Sequence, residues 1–276
     1  MAIFKKVGIV GTGLVGGSLG LALKKKHLAR TVVGTSRQEA TLARARALRA
    51  IDSGATDFDI LKGCDLIVLA APVETIIRDM EKIRRVITGD CIVIDVASTK
   101  EKVVAHASTR FARFVGCHPL AGSEKRGIAF ARADLFANAP CIITPVKATN
   151  RAALSAVTRL WKALGSKPVI LAPRTHDRAL AYMSHLPHVI AFALMAATPR
   201  GYLSLAPQSF RDITRIAGSS PELWNDIFIT NKKNIVHSID AFFTRVRALR
   251  AALINNDSRA LNRIMTAAQL KRQQSL

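Results

Sequence analysis

Apolar positions along this chain follow two regimes that change near Pro173. Before it, short apolar runs alternate with stretches whose apolar residues recur every three or four positions. Residues 7–10, 31–34, 65–71, 91–95, 114–117, 141–144 and 168–171 are short, continuous and bounded by turn residues, and so predict buried strands. Between them, residues 17 to about 27, 39–51, 73–87 and 150–164 carry helical spacing. Such alternation predicts a parallel sheet covered on both faces. Beyond Pro173 the strand-like runs stop, and of the 16 glycines only Gly201 and Gly218 remain. Residues 174–198 read as one long helix with Pro187 inside it, where a kink is expected. Residues 222–255 read as a second long helix, opened by Ser219-Ser220-Pro221, and residues 257–270 as a last one. The pattern divides the chain into an α/β domain, residues 1–172, and an all-helical domain, residues 173–276.

The first strand runs into Gly11-x-Gly13-x-x-Gly16 and then directly into a helix. That context promotes a weak glycine pattern to a dinucleotide fingerprint. Gly11 permits the tight turn, Gly13 lets the backbone approach a pyrophosphate, and Gly16 lets helix and strand pack closely. The helix N-terminus offers free N–H groups to the anion, and Leu14 and Val15 within the glycine turn are expected at the cofactor. The first domain therefore reads as Rossmann-type. About 20 residues past the glycines, where a carboxylate would take a ribose 2′-hydroxyl, stand Thr35-Ser36-Arg37. A hydroxyl and a guanidinium suit a 2′-phosphate, so NADP is expected ahead of NAD. Ala71, at the end of a later strand, completes the expected cofactor wall with Gly11, Gly13, Leu14, Val15, Gly16, Ser36 and Arg37.

Composition adds limits. No apolar run in the sequence approaches the roughly 20 residues of a membrane span, and no secretory signal is expected at the N-terminus. Cys64, Cys91, Cys117 and Cys141 lack metal-site spacing and lie in or beside apolar runs, which suits reduced thiols in a cytoplasmic protein. The net charge of +22 raises nucleic acid as a partner. Basic residues are spread along both domains, however, without a tail or an aromatic-interleaved arm, so solvated surface is the preferred reading.

Three segments could carry chemistry. His118 follows a strand end, where it is either a general base or a solvent-facing turn histidine. Ser184-His185-Leu186-Pro187-His188 sets two histidines on roughly one helix face; substrate contact by one and packing by the other is preferred to a metal site. Arg211 and Arg215, four apart, offer guanidinium forks for a substrate carboxylate or form surface ion pairs.

Five motifs, in order and covering nearly the whole chain, carry a resemblance. They are Gly11-x-Gly13-x-x-Gly16; Asp95-Val96-Ala97-Ser98-x-Lys100; Gly116-Cys117-His118-Pro119-Leu120-Ala121-Gly122-Ser123-Glu124-Lys125; Ser184 to His188; and Arg211-Asp212-x-x-Arg215-Ile216-Ala217 with Pro221-x-x-Trp224. Together they resemble the prephenate/arogenate (cyclohexadienyl) dehydrogenase family of tyrosine biosynthesis. The resemblance implies a Rossmann domain followed by a helical domain that makes a homodimer. It also implies oxidative decarboxylation of a cyclohexadienol, with hydride passing from ring C4 to the nicotinamide. By motif, His118 would hydrogen-bond the 4-hydroxyl and take its proton, and Ser98 would help to hold that hydroxyl. His185 would line the substrate pocket, Arg215 would bind a carboxylate, Glu124 would sit at the pocket mouth, and Trp224 would pack nearby. The chain departs from many family members at Pro207-Gln208-Ser209, where glycines are usual, which bears on side-chain specificity. Its length is expected to leave no room for the regulatory or chorismate-mutase domains of some relatives, so tyrosine inhibition, if present, would have to act at the active site.

Other two-domain reductases, of β-hydroxyacid or imine type, share the glycine turn. The hydroxyacid enzymes resemble this chain there but place a lysine in the helical domain, and none stands between Arg174 and Arg200. A non-catalytic NADP sensor or nucleic-acid module rests on charge alone and ranks last.

Overall fold

A computed structural model describes residues 2–122 and 125–275. The chain forms two compact units, Met1–Asn231 and Lys232–Leu276. The first is built on eight strands: β1 (Phe4–Val10), β2 (Ala29–Thr35), β3 (Ser53–Ala55), β4 (Leu66–Leu69), β5 (Ile92–Asp95), β6 (Phe114–Pro119), β7 (Pro140–Thr144) and β8 (Lys167–Ile170). They lie in the order β3-β2-β1-β4-β5-β6-β7-β8. The chain reverses its direction across the sheet between β1 and β4, and in open α/β sheets such a switch point is where ligands bind. The continuous apolar runs have a plain cause. Val7 and Ile9 of β1, with Leu66 and Val68 of β4, enter one core; Ile67 and Leu69, with Val93 of β5, enter the other. Helices cover each face, so both sides of every central strand must be apolar.

Helices α1 (Leu14–Lys25), α2 (Glu39–Ala47), α3 (Val73–Val86), α4 (Glu101–Ala107) and α5 (Arg151–Ala163) connect the strands. In α3 the buried residues Val73, Ile76, Met80 and Ile83 recur every three or four positions, the stripe that packs on the sheet. Two elements escape the apolar pattern. β3 is Ser-Gly-Ala, held by pairing with β2 alone, and α4 has only seven residues. The sheet is also mixed, because β7 runs antiparallel to β6 while β8 follows it in parallel. Periodicity cannot register that reversal, since a buried strand reads the same in either direction.

Past Pro173 the first unit continues through α6 (Pro173–Leu180), a π-helical turn (Ala181–His185), α7 (Leu186–Ala197), α8 (Gln208–Thr214) and α9 (Pro221–Thr230). The π turn stands immediately before Pro187, where it accommodates the missing N–H and the ring without ending the helix. Pro173–Ala197 therefore runs unbroken for 25 residues, and its most apolar 18-residue stretch has a mean hydropathy of 1.4, enough to cross a membrane by length and composition only. It is not one apolar run, since Ser184, His185, Pro187 and His188 interrupt it. This helix nevertheless carries buried polar groups, His176, Asp177 and His185.

The single helix expected over residues 222–255 is two. Asn231 leaves helical geometry at φ −117° and ψ 22°, and its side-chain amide donates to the Asp177 carbonyl at 2.8 Å. A tertiary hydrogen bond sets that break, with no glycine or proline to announce it. The second unit holds α10 (Lys232–Ile254) and α11 (Ser258–Ser275). Asp257 begins α11 by accepting from the Ala260 amide at 2.8 Å. Much of the unit's apolar surface, including Phe243, Leu253, Ile254, Met265 and Leu270, is exposed.

Candidate active site

A cavity of about 850 Å³ opens at the carboxyl ends of β1, β4, β5 and β6. Its walls are the glycine turn after β1, residues 70–73 after β4, residues 96–98 after β5 and the segment that starts at His118, near the end of β6. The π turn, α7 and α9 close the opposite side through His185, His188 and Trp224. Every lining residue lies in the first unit.

The glycine turn is shaped for a dinucleotide. Gly11 has φ +97°, and a Cβ there would stand 2.6 Å from the Ala70 carbonyl oxygen. A Cβ on Gly16 would stand 2.1 Å from the Gly11 carbonyl oxygen, so only glycine lets α1 sit this close to β1. Gly13 is the opposite case: nothing lies within 4 Å of its would-be Cβ, which faces the cavity together with Leu14 and Val15. No side chain caps α1 and its first turn has no acidic residue, so its first N–H groups and positive dipole end are presented to an anion. These features fit a pyrophosphate. Ala71 lines the cavity beside this turn. Ser36 and Arg37 follow β2 outside the cavity wall; Arg37 is exposed, and the Thr35 carbonyl accepts from the Gly11 amide at 3.0 Å, which ties the end of β2 to the glycine turn.

The ends of β5 and β6 bring Ser98 and His118 to the cavity, both half-buried. Behind His118 lies a chain of hydrogen bonds. The Asp177 carboxylate is 2.7 Å from His176 Nδ1, and His176 Nε2 is 2.8 Å from His118 Nδ1. A carboxylate only accepts, so His176 donates from Nδ1. Neutral His176 then has a lone pair at Nε2, and His118 must donate to it from Nδ1. That leaves His118 Nε2 with a lone pair and, among the described residues, without a hydrogen-bond partner. Burial, then the neighbouring His176, Lys100 and His185, hold the His118 imidazole well below its ordinary 6.5, and burial lowers His176 too. The pair is therefore neutral at pH 7. Asp177 is itself fixed by the backbone amides of Lys100 and Glu101, at 2.8 and 2.9 Å, where α4 begins.

His185 is oriented in the same way. Asn231 Nδ2 must be the atom facing the Asp177 carbonyl, and it also lies 3.1 Å from His185 Nδ1. Nδ1 accepts, so the proton of His185 is on Nε2. Burial pushes this imidazole down to about 4, so it is a neutral donor. His188 donates from Nδ1 to the Ser184 carbonyl at 2.9 Å. Its ring stacks on Trp224 with centroids 3.5 Å apart, making an aromatic floor with His185, which meets Trp224 edge-on. Arg215, exposed, also lines the cavity. Arg211 does not: its Nε donates to the Ala206 carbonyl at 3.2 Å. Glu124 lies outside the described residues.

The structure thus gathers Gly13, Leu14, Val15, Ala71, Ser98, His118, His185, Arg215 and Trp224 around one cavity. Sequence reasoning missed His176, Asp177 and Asn231. They act on the cavity through other side chains, and nothing in the local pattern of α6 or the α9 end distinguishes them from solvent-facing polar residues.

The family model for the prephenate dehydrogenase nucleotide-binding domain matches residues 19–179, and that for the prephenate dehydrogenase dimerization domain matches residues 172–267. This chain belongs to the prephenate dehydrogenase family. It is 34% identical to the prephenate dehydrogenase of Bacillus subtilis (strain 168), covering 95% of this chain and 73% of that one. Among solved structures it is similar to the prephenate dehydrogenase of A. aeolicus in complex with hydroxyphenyl propionate and NAD+, with TM-score 0.92, 31% identity and 98% of each chain covered. Synechocystis arogenate dehydrogenase matches with TM-score 0.84 and 30% identity, over 98% of this chain and 100% of that one. Prephenate dehydrogenases are NAD(P)-dependent oxidoreductases, and the activity of this member is the oxidative decarboxylation that serves tyrosine biosynthesis.

Proposed function

We propose that this chain oxidises prephenate or arogenate, with His118 as the base and NADP as the preferred cofactor. The observation that carries the reading is the Asp177–His176–His118 chain, which leaves His118 Nε2 as an acceptor in the same cavity as the glycine turn. Gly13, Leu14, Val15 and Ala71 would hold the pyrophosphate and the adjoining part of the dinucleotide, with Ser36 and Arg37 taking the 2′-phosphate. The nicotinamide, when bound, supplies the hydride acceptor. His118 Nε2 accepts the proton of the 4-hydroxyl as the ring carbon is oxidised, and its imidazolium is stabilised through His176 by the buried Asp177. Ser98 hydrogen-bonds the same hydroxyl. Loss of the ring carboxylate as CO₂ then leaves an aromatic product. On the far wall, Arg215 binds the side-chain carboxylate, His185 donates from Nε2, and Trp224 packs against the ring.

In this reading residues 1–172 are the cofactor domain and residues 173–276 the substrate and dimerisation domain. The exposed apolar faces of α10 and α11 support homodimerisation through the latter. A cytoplasmic location accords with four cysteines that are all free and buried. The test is reduced-nicotinamide absorbance with prephenate and arogenate, each offered with NADP+ and NAD+. Reduction with either substrate, faster with NADP+, is the expected outcome. Folded protein that binds NADP+ and reduces it with neither substrate would overturn the reading.

A further inference from the structure

Behind the cavity wall lies an ion pair that the reaction as described does not use. Lys100 and Asp95 are both fully buried, and neither lines the cavity. Lys100 Nζ pairs with Asp95 Oδ2 and also donates to the Cys117 carbonyl at 2.7 Å. Asp95 accepts from the amide of Ala97 at 3.0 Å and from that of Cys117 at 3.3 Å. Two buried charges are a costly way to fill space that apolar side chains of similar volume could occupy. What this pair gains is placement. The groups it grips are the amide of Ala97, the residue before Ser98, and the amide and carbonyl of Cys117, the residue before His118. The backbone amide of Lys100 donates in addition to Asp177, the carboxylate that aligns His176.

We infer that Lys100 and Asp95 are a positioning pair for the proton-accepting site, locking the ends of β5 and β6 so that Ser98 and His118 face one substrate hydroxyl. The inference rests on the reading of His118 as the base. The pair touches neither substrate nor cofactor; it acts through the backbone of residues 97 and 117. Its loss leaves the glycine turn intact and lets the His118 ring drift from the line set by His176.

The experiment uses the full-length chain and three variants: Lys100→Met, Asp95→Asn, and the double variant, which leaves no unpaired buried charge and guards against simple misfolding. Three quantities are measured: kcat, NADP+ affinity by titration, and the tautomer of His118 by nitrogen-15 NMR of labelled histidine. The expected result for the double variant is a kcat lower by on the order of 10²-fold, because small misplacement of a reacting group is costly. NADP+ affinity is expected to hold within about threefold, and the kcat loss of the double variant is expected to be no larger than that of the worse single variant. The single Nδ1–H tautomer of wild-type His118 becomes a mixture. A double variant with normal kcat, an unchanged tautomer, or equal losses of kcat and NADP+ affinity would each overturn the inference. If the wild-type chain oxidises neither substrate, the reaction assignment fails, while the NMR comparison still decides whether the pair positions His118.

Discussion

Neutral buried histidines make the first unit sensitive to acid, and His185 gives the effect a size. Its imidazole titrates near 6.5 in an unfolded chain and at about 4 in the fold, with burial as the leading cause. The folded value is depressed, so below pH 6.5 the unfolded chain binds the extra proton first. The stability contributed by neutral His185 is complete above pH 6.5 and is lost as pH falls toward 4. Linkage over those two values gives a loss of about 2 kcal/mol by pH 5 and about 3 kcal/mol by pH 4. His118 and His176 are shifted in the same direction and add to the loss. Replacing His185 with Gln keeps a hydrogen-bonding side chain and removes the titration. Urea unfolding followed by tryptophan fluorescence suits the assay, because the two tryptophans, Trp161 and Trp224, both lie in the first unit. With an m-value of about 3 kcal/mol/M, the wild-type midpoint should fall by roughly 0.7 M more than that of the variant between pH 7.5 and 5. Parallel curves for the two proteins would refute the reasoning, since His185 would then titrate alike in both states.

Other perturbations test the site directly. His118→Asn should lower kcat by on the order of 10²-fold or more while NADP+ binding persists, as equilibrium titration would show; near-normal turnover excludes the base. Asp177→Asn places an amide donor against His176 Nδ1, which favours the opposite tautomers along the chain and puts a proton on His118 Nε2. A kcat loss on the order of 10²-fold or more is expected, and an unchanged rate would remove the relay. Arg37→Asp should shift the NADP-to-NAD ratio of kcat/KM by roughly 10- to 100-fold toward NAD, the worth of a charged hydrogen bond; an unchanged ratio refutes the 2′-phosphate assignment. Gly16→Ala should cost about 1–3 kcal/mol in urea unfolding and weaken dinucleotide binding, because its methyl group would meet the Gly11 carbonyl oxygen, an atom of the backbone.

What sequence alone determined about this protein is whatever depends on neighbours along the chain. Runs such as residues 66–69 read as strands buried on both faces because they are short, wholly apolar and alternate with segments of helical spacing. The glycine turn was legible because each glycine answers a local steric demand of strand, turn and helix. His118, Ser98, His185 and Arg215 could be singled out by the residues beside them, and the structure sets all of them on one cavity. Tertiary structure alone decided the rest. Only the fold puts Arg215 rather than Arg211 on the cavity, and the reversal of β7 and the break at Asn231 each turn on a partner far away in sequence. So does the tautomer of His118. It follows from His176 and Asp177, some 58 residues distant, whose single free choice is which atom of a neighbour to face. A pattern along the chain records whether a position is wet or dry. It carries no record of which donor meets which acceptor, and that pairing sets the position of the proton.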